Sequence, residues 1–410
     1  MHCLNTALMQ SVILDTTAPF EFFAKNGYYS VGNAIATMQG PALQEATRTG
    51  LPVKWHFNEE VYNRMNWRER WNIPLTEVYR MRAQQLRDKY DYLMLWFSGG
   101  ADSTVILESF VNNNIHLDEV VCAWPLSQTQ GRYTPNTNTD TSNMPSEWDL
   151  SIKPKLDWLA KNHPRIKITV LDYMDQVPTL EDFEDTFTVI EKYSFVTTQR
   201  QRALDQVVAE RAERYHNVAS IAGVSPPLFV VVNQYYLVTF FENVYASAGI
   251  AKSDYIRGKI PRNVEFFYWT PDMPEIVREQ AHTVLDCINT SLVAKSVFLS
   301  HDLVTRNMIK HTPEQHEIRR NIVKSLIYPS WDHRTFQSVK PKDLLNHCEQ
   351  YNWFYKNSES RQYMESWQSA IDSQHRLIDP KFLKSNQSGA VYDFAEVYHS
   401  KFYPIGKINS

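Results

Sequence analysis

One stretch, Phe97-Ser98-Gly99-Gly100-Ala101-Asp102-Ser103-Thr104, limits what this 410-residue chain can fold into more than any other. It lies between an apolar run, Tyr92-Leu93-Met94-Leu95-Trp96, and a pattern of Val105, Ile106, Leu107, Phe110 and Val111. The run predicts a buried strand and the pattern predicts a helix, so the glycines make the corner between them. Two adjacent glycines let the backbone turn sharply and keep side chains out of a ligand's way. The first amides of the following helix find no partner inside it, and such a corner attracts an anion. Ser98, Ser103 and Thr104 add hydroxyls. Asp102 adds a carboxylate that can cap the helix or hold a magnesium ion riding on phosphates.

Ser98-Gly99-Gly100-Ala101-Asp102-Ser103 matches the S-G-G-x-D-S signature at every position, in the strand-to-helix setting that the motif requires. The chain thereby resembles the PP-loop ATP pyrophosphatase superfamily, which includes asparagine synthetase, GMP synthetase, tRNA-modifying adenylating enzymes and phosphoadenylyl-sulfate reductases. The resemblance implies an adenine nucleotide alpha-hydrolase-like fold and ATP and Mg2+ as cofactors. It also implies cleavage of ATP between its α and β phosphates, leaving AMP on a substrate oxygen. An ordinary strand-to-helix turn is the plain alternative. Neither G-x-x-x-x-G-K-[ST] nor G-x-G-x-x-G occurs, so other phosphate loops fit less well.

Lys and Arg total 42 against 46 Asp and Glu, which gives no global basic excess of the kind that announces a nucleic-acid-binding protein. A local basic patch stays open. Cys3, Cys122, Cys287 and Cys348 form no C-x-x-C pair, so the thiols point to a reducing compartment. The longest apolar stretch, 228–241, is broken by Asn233 and Gln234 and is too short to cross a bilayer. With no signal-peptide pattern at the amino terminus, the expectation is a cytoplasmic protein with no membrane partner.

Residues 1–73 show no long period and read as a small N-terminal extension. Leu75, Val78, Tyr79, Ala83 and Leu86 recur at 3.6 residues and predict a helix ending near Tyr90. Strands follow at 92–96, 119–124, 166–171 (read as buried) and 218–222, with a short helix at 156–160 and another through Ala203, Leu204, Val207, Val208, Ala212 and Tyr215. This β-α-β rhythm predicts an α/β domain over 74–268, a parallel sheet with helices on both faces. The segments after Phe97, Trp124, Leu171 and Ala222 should then meet in one crevice. The polar stretch 127–146 reads as a disordered insertion or a lid. Residues 269–410 read as mostly helical, opening with a capping box from Asp272 to Glu275 and continuing in helices around 318–327 and 344–355.

Several further roles come from the resemblance. Trp96 and Phe97 stand where the family sets apolar residues against adenine, although core packing explains them equally. Gly223 stands where the family's second glycine lies beside adenine and ribose, or is a plain strand-end turn. Asparagine synthetase-like enzymes carry acidic magnesium ligands in the next stretch, whereas this chain has Ser225-Pro226-Pro227; Asp172 is the nearest replacement beside Asp102. The segment from Tyr328 to Pro341 is loosely similar to the asparagine synthetase C-terminal part, which would bring Arg334 or Lys340 to the triphosphate. Both are surface cations if that likeness fails. Arg200, Arg202, Arg211 and Arg214 read as a solvated helix face in preference to a phosphate clamp.

The thirteen histidines include no H-E-x-x-H, and no reactive Glu-Cys-Gly or paired cysteines suggest sulfur chemistry. Glutamine hydrolysis lacks its nucleophile, since His2 stands between Met1 and Cys3. The expected function is an ATP-dependent ligase that adenylates a carboxylate or amide-type oxygen and transfers the activated carbon to an amine or ammonia. A nucleic-acid base-modifying enzyme and an inactive nucleotide-binding protein are the alternatives. The acceptor substrate and the oligomeric state leave no mark in the sequence.

Overall fold

A computed structural model describes residues 12–13, 27–36, 39–124, 126, 148–172, 204, 206–223, 226–240, 263–300, 313–329 and 399–409. The stretch 127–146 and the helix expected over 344–355 lie outside the described residues. At the amino end β1 (Val12–Ile13), β2 (Tyr28–Val31), β3 (Ala34–Ala36) and β4 (Val53–His56) form one sheet in the order β1-β3-β2-β4. Tyr29, Val31, Val53 and Trp55 alternate inward, and helix α1 (Gln39–Thr49) adds Ala42, Leu43 and Ala46 to the same core. Strands of two to four residues are too short for a period to register, which is why this region carries no legible pattern.

After the short α2 (Glu59–Tyr62), helix α3 (Leu75–Lys89) buries Leu75, Val78, Tyr79, Ala83 and Leu86 as its period requires, and Arg82 with them. The enclosed Arg82 guanidinium donates to Glu265 Oε2 and to the Phe266 carbonyl, each at 3.0 Å. The chain then runs through β5 (Tyr92–Trp96), α4 (Ala101–Val111), β6 (Glu119–Ala123), α5 (Lys153–Asn162), β7 (Lys167–Leu171) and β8 (Val218–Ala222). A hairpin of β9 (Leu228–Val232) and β10 (Tyr235–Thr239) precedes β11 (Asn263–Phe266). Five strands make an all-parallel sheet in the order β11-β8-β5-β6-β7.

Alternation divides these strands between two faces. Leu93, Leu95, Val120, Cys122, Ala219 and Ile221 share a core with α3 and α4, while Tyr92, Met94, Val121 and Val218 meet Leu204, Val207 and Val208. The chain is therefore α/β, with helices packed on a parallel sheet. The edge strand β7 departs from its buried reading: its residues are exposed or half-buried, because among the described residues β6 alone pairs with it.

The apolar stretch near 228–241 folds as the β9–β10 hairpin. Asn233 and Gln234, with φ of 50° and 66°, supply the two left-handed residues that a tight hairpin turn demands. Helices α6 (Glu275–Thr290), α7 (Leu292–Leu299) and α8 (Pro313–Ile327) follow, and the last strand, β12 (Tyr403–Lys407), pairs with β10. The expected capping box does not form. Pro274 precedes α6 without a side-chain cap; Thr270 Oγ1 accepts the Asp272 amide at 3.1 Å, and the Asp272 carboxylate meets Lys89 at 2.9 Å. Among the described residues no helix is long and apolar enough to cross a membrane.

The order of the central sheet locates a crevice. From β5 the chain adds β6 and β7 outward on one side, then returns to lay β8 and β11 on the other. The direction reverses between β5 and β8, and in open parallel sheets ligands bind beyond the carboxyl ends of the strands at such a reversal.

Candidate functional site

The turn after β5 stands at that point. Phe97 continues the ladder, its amide donating to the Val121 carbonyl at 2.8 Å, and its ring is buried. Trp96 is half-buried and packs against both faces of the sheet. Gly99 then takes a φ of 72°, and Gly100 is extended before α4 begins at Ala101. The Thr104 amide closes the first helical turn on the Gly100 carbonyl at 3.0 Å. The general shortage of partners in a helix's first turn thus falls on 101–103, beside the crevice.

Ser103 staples the turn from within. Its Oγ accepts the Ser98 amide at 3.2 Å, lies 3.3 Å from Ser98 Oγ, and donates to the Gly100 carbonyl at 3.3 Å. Ser103 and Thr104 are buried, so of the three hydroxyls expected to face a ligand only Ser98 is half-open. A π-helical turn, Trp148–Ile152, covers the other side: Ser151 Oγ donates to the Gly99 carbonyl at 2.7 Å. Trp124, at the end of β6, stacks on Trp148 with ring centroids 6.1 Å apart.

The three glycines answer to different causes. A Cβ on Gly99 would stand 2.6 Å from Ile152 Cγ1 in a backbone conformation that side chains disfavour. Gly99→Ala should therefore cost about 2 kcal/mol or more in denaturant unfolding, whatever the site binds. A Cβ on Gly223, just beyond β8, would lie 3.2 Å from the Ser103 amide nitrogen and 3.3 Å from Asp102 Cβ, so β8 closes directly against the start of α4. Gly100 differs: among the described residues its Cβ would meet only Ser98 Oγ, at 3.5 Å. Packing does not require a glycine there.

Asp102 is gripped by two buried tyrosines. The Tyr268 hydroxyl donates to its carbonyl at 3.0 Å, and the Tyr328 hydroxyl donates to its Oδ1. Asp102 therefore does not cap its helix; Gly100 holds that position without a side-chain bond. Burial, and secondarily the neighbouring charge of Asp102, pushes the Tyr328 phenol well above its ordinary pKa; burial does the same to Tyr268. Both remain neutral donors at physiological pH.

Tyr79 completes the support. Its hydroxyl donates to the Ile327 carbonyl at 2.6 Å and accepts Gln280 Nε2 at 2.9 Å, while its ring meets Tyr268 at 5.4 Å. Sequence patterns had no means of pairing Tyr328 with Asp102 across 226 positions.

Asp172 follows β7, two strand spacings or roughly 10 Å from the end of β5. Among the described residues no group of three His, Cys, Asp or Glu is arranged to hold a metal. Arg334, Lys340, Arg200, Arg202 and Ser225 lie outside the described residues. Arg211 is neither a solvated cation nor a phosphate clamp: buried on the far face, it holds Glu119 through two bonds of 2.8 and 3.0 Å. Arg214 is exposed as expected. No protein-family model matches this chain, and no curated protein matches its sequence.

Proposed function

We propose that this chain is an ATP-dependent synthetase of the PP-loop type, with an adenine nucleotide alpha-hydrolase-like core. It adenylates a carboxylate or amide-type oxygen, releases pyrophosphate, and passes the activated carbon to an amine or ammonia. The observation that carries the reading is the position of the 98–103 signature beyond β5 and beside Gly223, at the reversal of the parallel sheet. The acceptor oxygen bonds to the α-phosphorus as the bond from that phosphorus to the pyrophosphate oxygen breaks. The amine then bonds to the activated carbon as its bond to the AMP oxygen breaks.

The backbone amides of the turn and of α4's first residues would receive the leaving pyrophosphate. Magnesium, carried with ATP, supplies charge neutralisation on the phosphates. It is commonly held by one or two carboxylates plus phosphate oxygens, and Asp102 fits as such a carboxylate. By the resemblance alone, Arg334 or Lys340 would approach the triphosphate from the segment that follows Tyr328.

Exchange of labelled pyrophosphate into ATP, measured over a panel of carboxylate, amide and nucleic-acid acceptors, tests the reading. Gly100→Ala sharpens it. Packing tolerates the methyl, so stability should stay within about 0.5 kcal/mol, yet the methyl would stand at the helix start where phosphate approaches. Exchange should fall at least about tenfold, a loss near 1.4 kcal/mol of binding or activation. Wild-type exchange that never exceeds background would reject the synthetase.

A nucleotide-binding protein without turnover is the second reading. Ser225-Pro226-Pro227, standing where the resembled family carries acidic magnesium ligands, favours it. Magnesium-dependent ATP binding with no AMP formed from any acceptor would select it.

A further inference from the structure

Asp102 and Tyr328 are joined by a bond that spans the fold, from the first turn of α4 to the end of α8. Tyr328 is fully buried and cannot adjust freely. The last helical bond of α8 runs from its amide to the Lys324 carbonyl at 3.0 Å, and the carbonyl just before it, on Ile327, is held by Tyr79. Tyr79 is fixed in turn by Gln280 of α6, and the Tyr268 ring packs at 5.7 Å from Tyr328. Three helices therefore determine where this one hydroxyl points.

A hydroxyl donating to one oxygen of a carboxylate fixes the rotation of the whole group. Donors behind a metal-binding carboxylate set its rotation and hold it ready for the ion. Tyr268 makes an instructive contrast, because its hydroxyl reaches the Asp102 backbone and leaves the carboxylate's rotation alone.

We infer that Tyr328 is a positioning residue that orients the Asp102 carboxylate for the magnesium ion accompanying the nucleotide, so that α8 is part of the metal site without touching the metal. The inference rests on the nucleotide reading above. It makes the C-terminal helical region a determinant of magnesium affinity specifically, separate from any general support of the fold.

The test is a calorimetric titration of Mg2+ into the full chain in the presence of the α,β-methylene analogue of ATP, for wild type, Tyr328→Phe and Tyr268→Phe, with thermal melts alongside. Tyr328→Phe keeps the ring and the packing. Its magnesium midpoint should rise by about 10- to 100-fold, with analogue affinity returning to the wild-type value at saturating Mg2+. Tyr268→Phe should leave the midpoint within about twofold, the effect of a bond lost from the backbone and not from the carboxylate. An unshifted midpoint in a folded Tyr328→Phe overturns the inference. So does an equal shift in Tyr268→Phe, or a loss of affinity that excess Mg2+ does not restore, because either marks a merely structural tyrosine. Wild-type protein that binds the analogue with no dependence on Mg2+ overturns it too, while leaving nucleotide binding intact; wild type that binds no analogue at all removes both this inference and the nucleotide reading.

Discussion

Asp102→Asn is expected to lower pyrophosphate release by a few hundredfold or more, a loss of roughly 3–4 kcal/mol of transition-state stabilisation, while the protein stays folded. The asparagine has the shape of the aspartate and its Oδ1 can still accept the Tyr328 hydroxyl, so the buried tyrosine keeps a partner. The stability change should be about 1 kcal/mol, the difference between a charged and a neutral acceptor. What disappears is the negative charge that would hold a divalent cation against the phosphates.

Asp102→Ala is the less informative change. It strands a Tyr328 hydroxyl with no exposed surface and costs about 1–3 kcal/mol from that source alone, so lost activity and lost stability would mix. A sequence-based view of Asp102 as a simple cap, worth about 1 kcal/mol, underestimates the damage. Pyrophosphate release by a folded Asp102→Asn at the wild-type rate would remove Asp102 from the chemistry.

The second large effect lies at the other end of the sheet and concerns stability alone. Glu119, the first residue of β6, has no exposed surface and is surrounded by donors. Its Oε2 accepts Arg211 Nε and the Tyr92 hydroxyl, both at 2.8 Å; its Oε1 accepts Arg211 Nη2 at 3.0 Å and the Thr169 hydroxyl, with Lys167 at 3.4 Å. Glu119→Gln takes from the buried Arg211 guanidinium the carboxylate that accepts two of its bonds, leaving it the exposed Glu210 carboxylate at 3.2 Å, and should cost about 3 kcal/mol in denaturant unfolding at pH 7. Pyrophosphate exchange per folded molecule should not change, because a five-residue strand sets this cluster roughly 13 Å from the crevice.

The same cluster has a pH signature. Burial raises the Glu119 pKa, but the bonds from Arg211, Thr169 and Tyr92 outweigh it and hold the carboxyl below its ordinary value of about 4.3. A group with a depressed folded pKa contributes stability that is present above the unfolded value and lost as pH falls through the folded one. Glu59, held down by His56 and Lys401 against the opposing effect of its burial, loses stability in the same direction. The diagnostic quantity is therefore the difference between wild type and Glu119→Gln, which should be full above about pH 5 and shrink below about pH 4. A gap that stayed constant into acid would mean that folding does not lower the Glu119 pKa.

Local chemistry alone was enough for some parts of this molecule. The helical period of Leu75 to Leu86, the strands at 92–96 and 218–222, and the glycine corner between strand and helix all depend on residues within a turn or two of one another, and the structure contains them at those positions. Propensity and periodicity act over that range. Short-range signals also misled: Asp272 and Glu275 have the spacing of a capping box, yet Lys89 takes the Asp272 carboxylate. The 166–171 strand has buried composition but lies on a sheet edge.

What the sequence by itself determined was the α3 helix, the central strands and the signature turn, because strand, glycine turn and helix are stabilised by neighbours in the chain, whereas the short N-terminal strands, the β9–β10 hairpin and β12 left no legible period. Only the tertiary structure decided the order of the sheet, and with it the meeting of Gly223 with Asp102, of Arg211 with Glu119 and of Tyr328 with Asp102. Those partners are 92 to 226 positions apart, or sit on strands whose adjacency is chosen during packing. Burial then makes the pairing obligatory: a polar group enclosed by the core must find whichever partner the packing has brought beside it, and no local pattern records which one that is.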